Sequence, residues 1–138
     1  MPAAARLIVA VVAGIVVALA LLVAVELWSA VVHPTPADFG GTTDQMCAHV
    51  ANYPPWVLAL VVPMWGFTAW LSAWVARKIG GRSAAWVVSV LMLAAVVLNV
   101  AMLPYPAWFT LACPIVVGAG AAFGSQLSVR KKAREQDA

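Results

Sequence analysis

The side chains able to hold a proton, a cation or a metal are few, and most of them fall close together. Apart from Glu135 and Asp137 near the C-terminus, the acids are Glu26, Asp38 and Asp44; the histidines are His33 and His49, and the cysteines Cys47 and Cys113. Glu26 and His33 are seven positions apart, nearly two helical turns, so they share a face of any helix that reaches both. No basic residue neighbours Glu26 in sequence, and only His33 or His49 could become cationic on its side of the chain. A carboxylate so placed suits a proton or cation site. His33, Cys47 and His49, with the acids, also contain enough donors for zinc or copper, although Cys47-Ala-His49 matches no established ligand spacing. Cys47 and Cys113 permit one bridge; an unpaired Cys113 behaving as a small apolar residue is the simpler expectation. Neither a phosphate loop nor HExxH, GxSxG or a dinucleotide fingerprint occurs. The serines at 29, 72, 89 and 125 have no helical acid–base neighbour that singles one out as a nucleophile.

The elements that must position these groups are membrane helices. Of the 138 residues, 64% are hydrophobic and 9% charged, against about 25% charged in a soluble domain. A disordered segment, a nucleic-acid module and an ordinary cytosolic enzyme are excluded. A bilayer core requires about 20 apolar residues per helix. Residues 7–32, 55–76, 84–103 and 108–129 meet that test, and Glu26 is the one charge in any of them. They are too uniformly apolar for barrel strands, which alternate with period 2. The chain is therefore expected to be all-α, a single integral membrane four-helix bundle. The first span is expected to remain uncleaved, because its apolar run is longer than a signal peptide's and Trp28 spoils a cut after Ala30.

Orientation follows from the eight basic residues: Arg6, Arg77, Lys78, Arg82, Arg130, Lys131, Lys132 and Arg134. With four spans, all lie on one side, which the positive-inside rule makes cytoplasmic. The N-in/C-in topology puts the 21-residue loop 33–53 outside. The basic excess reports topology, and no nucleic-acid partner is expected. Trp28, Trp56 and Trp108 sit at outer helix ends and Trp74 and Trp86 at inner ends, an aromatic belt at both interfaces. Pro63 and Pro114 fall inside spans, where each deprives a carbonyl (Ala59, Thr110) of its partner. Both kinks lie in the outer half and predict a widened mouth there.

The outer loop reads in detail. His33-Pro-Thr-Pro36 should be extended, and Gly40-Gly41 a turn. Thr42-Thr-Asp-Gln45 is a capping box with Thr42 as N-cap and Gln45 at N3, opening a short helix over 43–51 that Pro54 stops. At about 1.5 Å per residue, Glu26 lies roughly 9 Å below the outer end of its helix, Asn99 about 6 Å and Cys113 about 7 Å below theirs. These three share a layer that the loop must cap. Gly120 and Gly124, with Ser128, form a small-residue face on the fourth span; Ala10, Gly14 and Ala18 form another on the first. Such faces admit close backbones, serving intrachain packing or a homodimer seam.

With the spans placed, the chain resembles a widespread group of small bacterial four-helix membrane proteins of uncharacterised function. The resembling features are Glu26 before His33-Pro34, the segment Trp70-Leu-Ser-Ala-Trp-Val-Ala-Arg-Lys-Ile-Gly80, and Asn99 before Pro104-Tyr-Pro-Ala-Trp-Phe109. The resemblance implies a fold, a multi-pass place in the bacterial cytoplasmic membrane, and no mechanism. Small multidrug exporters also carry one carboxylate in helix 1 of four, but their loops are short and their surrounding sequence differs. The expected function is a non-enzymatic binding or accessory protein whose outward pocket uses Glu26, His33, Asn99, His49 and Asp44. A homodimeric cation- or proton-coupled transporter and an intramembrane enzyme are the alternatives. The expected partner is the lipid bilayer; a metal at His33, His49 and Cys47 stays open.

Overall fold

The computed structural model describes residues 1–126 and is helical throughout, with elements α1 (Ala3–Val32), α2 (Thr43–Ala51), α3 (Pro55–Met102) and α4 (Ala107–Gln126). Residues 127–129 of the fourth expected span, including Ser128, and the basic cluster 130–134 lie outside the described residues. Three helices, α1, α3 and α4, are long and apolar enough to cross a membrane. The expected spans 55–76 and 84–103 are the two arms of α3. At about 1.5 Å per residue a straight helix of this length would extend roughly 70 Å, twice a bilayer core. Gly81 prevents that: its φ of 79° and ψ of −164° leave helical space inside the helix. Such a conformation belongs to glycine. The arms fold back there, so that Ser72 and Ala76 of one and Val88 of the other all border Gly14 of α1. Where a loop was expected between the spans, one non-helical residue makes the turn.

α1 and α4 each pack against α3, which forms the middle of the bundle. The packing faces are built from small residues. A Cβ on Gly14 would lie 2.8 Å from Val88 Cγ2 and 3.1 Å from the Ser72 carbonyl oxygen. Gly120 faces the backbone of Gly66, and Gly124 faces the Trp70 carbonyl oxygen. Ala10 and Ala18 are buried on the same α1 face as Gly14. Among the described residues, both small-residue faces are thus filled within one chain. Gly66 and Gly80, which meet Val116 and Ala10 respectively, complete the crossings and were not anticipated. Larger apolar side chains turn outward, among them Ile8, Val12, Val16, Leu19, Val23 and Leu27. On α1, small residues at the crossing and large ones facing outward is the arrangement expected where lipid is as apolar as leucine and helices associate by close packing.

Polar groups within the helices bond mostly to their own backbone. Thr68 Oγ1 donates to the Met64 carbonyl at 2.9 Å, Ser72 Oγ to Thr68 at 2.7 Å and Ser89 Oγ to Ala85 at 2.8 Å. The basic residues gather at one end. Arg6 Nε donates to the Ile79 carbonyl at 2.6 Å, Arg77 donates to the Ser125 carbonyl, and Lys78 Nζ lies 5.4 Å from the Trp74 ring centre. Those contacts tie the start of α1, the Gly81 turn and the end of α4 together. Pro63 and Pro114 stay inside α3 and α4. Trp65 is buried, its ring centre 6.2 Å from that of Phe109, whereas Trp70 is only half-buried.

Overpacking a close crossing typically destabilises by about 1–3 kcal/mol. Gly120→Leu, which drives a side chain into the Gly66 backbone, should lower the melting temperature in detergent by several degrees. Gly118→Ala, whose nearest neighbour is Leu93 Cδ1 at 4.0 Å, should leave it unchanged. Circular dichroism melts of the two variants compare them directly.

Candidate functional site

The end of the bundle opposite the Gly81 turn is where the helices stop being simple rods. On α1, Glu26, Ser29 and His33 follow one another at i, i+3 and i+7, on one face. The helix ends at His33, whose backbone N–H still donates to the Ser29 carbonyl at 2.8 Å before Pro34 prevents continuation. Pro36 and Phe39 close a turn, N to O 3.1 Å, and Gly41 at φ 75° redirects the chain. The capping box then forms as its spacing predicts: Gln45 N–H donates to Thr42 Oγ1 at 3.3 Å, and Gln45 Oε1 accepts from the Thr42 backbone at 3.4 Å. Gln45 does more than cap. Its Oε1 also accepts from Gly40 N–H at 2.7 Å, and its Nε2 donates to the Asp38 carbonyl at 3.2 Å. One side chain thereby joins the turn to the helix.

α2 is laid back over the α1 face with Val50 buried beneath it. Four aromatic rings meet at the contact. The imidazoles of His33 and His49 stack with centres 4.4 Å apart and planes 20° from parallel. Tyr53 lies 4.4 Å from His33 and 5.3 Å from His49, and Phe39 is 6.1 Å from His49. Ser29 Oγ and Tyr53 Oη share a hydrogen bond of 2.7 Å. His33 Nε2 sits 3.4 Å from the His49 carbonyl oxygen and must be the donor, since a carbonyl only accepts.

Beneath this lid lies a cleft of about 340 Å³. Its polar lining includes Glu26 from α1, Thr35 from the connection and Asn99 from α3, and its walls include the rings of Phe39, Tyr53 and Tyr105 with both imidazoles. Among the described residues, no lysine or arginine lines it. Asn99 Oδ1 is buried with no hydrogen-bond partner, an arrangement that ordinarily costs about 1–3 kcal/mol. Burial, with smaller contributions from Tyr53, Glu26 and Cys113, pushes the Tyr105 phenol well above its ordinary range, so it remains a neutral hydroxyl. A second basin of about 240 Å³ adds Asp38, Gln45 and Asn52. His33, Phe39 and His49 border both spaces, so the imidazole stack is the wall between them.

The expected layer of polar residues is therefore assembled in part. Glu26, His33, His49 and Asn99 meet in one cleft. Asp44 does not join them; it is exposed in the first turn of α2, where a negative charge favours the helix N-terminus. Cys47 is half-exposed and free, and lines neither space. Cys113 is free and fully buried in the apolar core, not in the cleft lining. Among the described residues, no three His, Cys, Asp or Glu side chains gather as metal donors. Stacking also sets the in-plane lone pairs of His33 and His49 parallel, where a shared ion requires them to converge. Ser29, Tyr53, Phe39 and Tyr105 are the site residues that the sequence reading did not select. The i, i+3, i+7 series Glu26–Ser29–His33 was the available signal for Ser29; the aromatic residues looked like interfacial belt or ordinary loop. Compared with protein-family models, curated proteins and solved structures, the chain finds no match.

The stack carries a pH dependence. Partial burial, and then the neighbouring His33 charge, lower the His49 pKa from its ordinary value, about 6.5 in an unfolded chain. The docked lid then binds fewer protons than the undocked one. Its stability is complete above that ordinary value and is lost as pH falls through the lowered one. Protection factors across 43–51, taken against the intrinsic exchange rate at each pH, should fall between about pH 7 and pH 5. His49→Phe, which retains a flat ring and cannot titrate, should remove that fall.

Proposed function

We propose that this is a small multi-pass membrane protein whose lid-covered cleft binds a small cation from the non-cytoplasmic side, as a binding or accessory protein. The observation that carries the reading is the Glu26 carboxylate in the lining of a polar and aromatic cleft that, among the described residues, no lysine or arginine borders. A carboxylate within a span faces a polar interior or a water-filled cavity as a rule and marks function by default. Here it is directed at a space that can hold a ligand.

Four passages, with α3 crossing twice through its arms, suit this arrangement. Arg6, Arg77, Lys78 and Arg82 sit at the Gly81 end, and the cleft is at the other. The positive-inside rule then directs the cleft outward and both termini inward. The fit to the bacterial cytoplasmic membrane rests on the resemblance given above. Coupled transport by a homodimer is the second reading, but the small-residue faces that would form its seam are filled within the chain. The serines at 29, 72, 89 and 125 are bonded to Tyr53 or to backbone carbonyls, which leaves no activated nucleophile among them and favours binding over catalysis.

Two measurements test the reading. A membrane-impermeant maleimide applied to intact cells should label wild-type protein and not Cys47→Ser, since Cys113 is buried; labelling only after the membrane is breached would reverse the orientation. A thermal-shift panel of alkali, divalent and organic cations at constant ionic strength should contain at least one that raises the melting temperature by several degrees at saturation. Glu26→Gln should abolish that rise. A panel with no Glu26-dependent member would defeat the binding-cleft reading.

A further inference from the structure

The composition of the cleft narrows the cation to a chemical class, an inference that rests on the binding-cleft reading. We propose that the ligand is a small protonated primary amine carrying a flat or compact apolar group. Three features converge on it. The first is charge: Glu26 is the one acid in the lining, with no lysine or arginine beside it, which selects a monocation. The second is hydrogen bonding. The Glu26 carboxylate and the Tyr105 hydroxyl, which stays neutral, offer acceptors in the same lining. An ammonium with several N–H groups can satisfy both at once; a quaternary ammonium, having none, can satisfy neither. The third is surface. Phe39, Tyr53 and Tyr105 offer ring faces that attract a cation and pack against its apolar substituent.

Other ligand classes fit less well. A bare metal ion finds no three-donor group among the described residues, and the stacked imidazoles do not converge. The cleft, at about 340 Å³, falls at the lower end of small-molecule sites, which run from about 300 to 1,000 Å³. That is far more room than the roughly 30 Å³ share of one water. An anion would meet the Glu26 carboxylate without a compensating positive side chain. His33, Phe39 and His49 border both the cleft and the second basin, and Glu26 is itself exposed, so a ligand reaches the carboxylate without displacing the imidazole stack.

Isothermal titration of the full chain in nonionic detergent at pH 7.5 tests the assignment, with benzylammonium as the probe. Tetramethylammonium, benzyl alcohol, potassium, calcium and zinc serve as comparisons. The expected result is saturable, one-site binding of benzylammonium, at least tenfold tighter than tetramethylammonium and undetectable for benzyl alcohol. Glu26→Gln should weaken it at least tenfold. Tyr105→Phe, which keeps the ring and removes the hydroxyl outside the helices, should weaken benzylammonium several-fold and leave tetramethylammonium unchanged, an outcome that simple misfolding does not produce. Equal loss of both probes would overturn the amine assignment. Binding of inorganic cations alone, lost in Glu26→Gln, would overturn the amine assignment and leave the cation cleft standing. Benzylammonium uptake equal in wild type and Glu26→Gln would identify partition into detergent and overturn the assignment. No binding by any probe would overturn both readings.

Discussion

The close approach of helix backbones at small residues is the constraint on which the rest of this structure depends. Hydrocarbon offers no hydrophobic drive to bring apolar helices together, so contact area has to come from proximity. Gly120 against Gly66, Gly124 against Trp70 and Gly14 against Ser72 bring α4 and α1 onto α3. At the Gly81 turn, Arg6 and Arg77 add hydrogen bonds to the Ile79 and Ser125 carbonyls. This half of the bundle is regular and tightly crossed. It provides a rigid base from which the other half can afford irregularity.

The irregular half is built from residues that interrupt helices. Pro34 ends α1, Gly41 turns the chain, and Pro54 and Pro55 separate α2 from α3. These interruptions leave space between helix ends, and α2 covers part of that space where packed helices would otherwise fill it. The lid is held by directional contacts, the Ser29–Tyr53 hydrogen bond and the stacked imidazoles, with little apolar burial beyond Val50. An element secured in this way belongs to the low-stability end of a protein, from which movable parts are drawn. The cleft beneath it is polar at Glu26 and Asn99 and aromatic elsewhere, so charge and ring faces act on the same occupant.

The unpartnered Asn99 oxygen and the Glu26 carboxylate illustrate why a polar group inside a membrane protein carries information. Serines and threonines in these helices discharge their bonding capacity onto the preceding turn, as Thr68, Ser72 and Ser89 do. An asparagine acceptor has no such local outlet and a carboxylate offers no donor to it unless protonated. The Asn99 oxygen stays buried without a partner among the described residues, while the exposed Glu26 carboxylate keeps its acceptors for a donor that reaches the cleft.

Much of this was legible before folding. Apolar runs of bilayer length located α1, both arms of α3 and α4, because a span must satisfy its backbone internally and helices are the open form that does so. The α2 boundaries, Thr43 to Ala51, came from local chemistry alone, since a capping box and a following proline act over four residues. Glu26, His33, His49 and Asn99 were identifiable by type and depth. What the sequence could not supply was which side chains meet. The stacking of His33 on His49 depends on how a ten-residue connection lays α2 back over α1, and the exclusion of Asp44 and Cys47 depends on which face of α2 turns inward. Gly81 as a single-residue turn, and Gly66 and Gly80 as crossing points, likewise required the partner helices to be in place. Local hydrogen bonding and hydropathy act between near neighbours and can be read from order along the chain; the cleft is made by residues as far apart as Glu26 and Asn99, and only the packing of helices decides their distance.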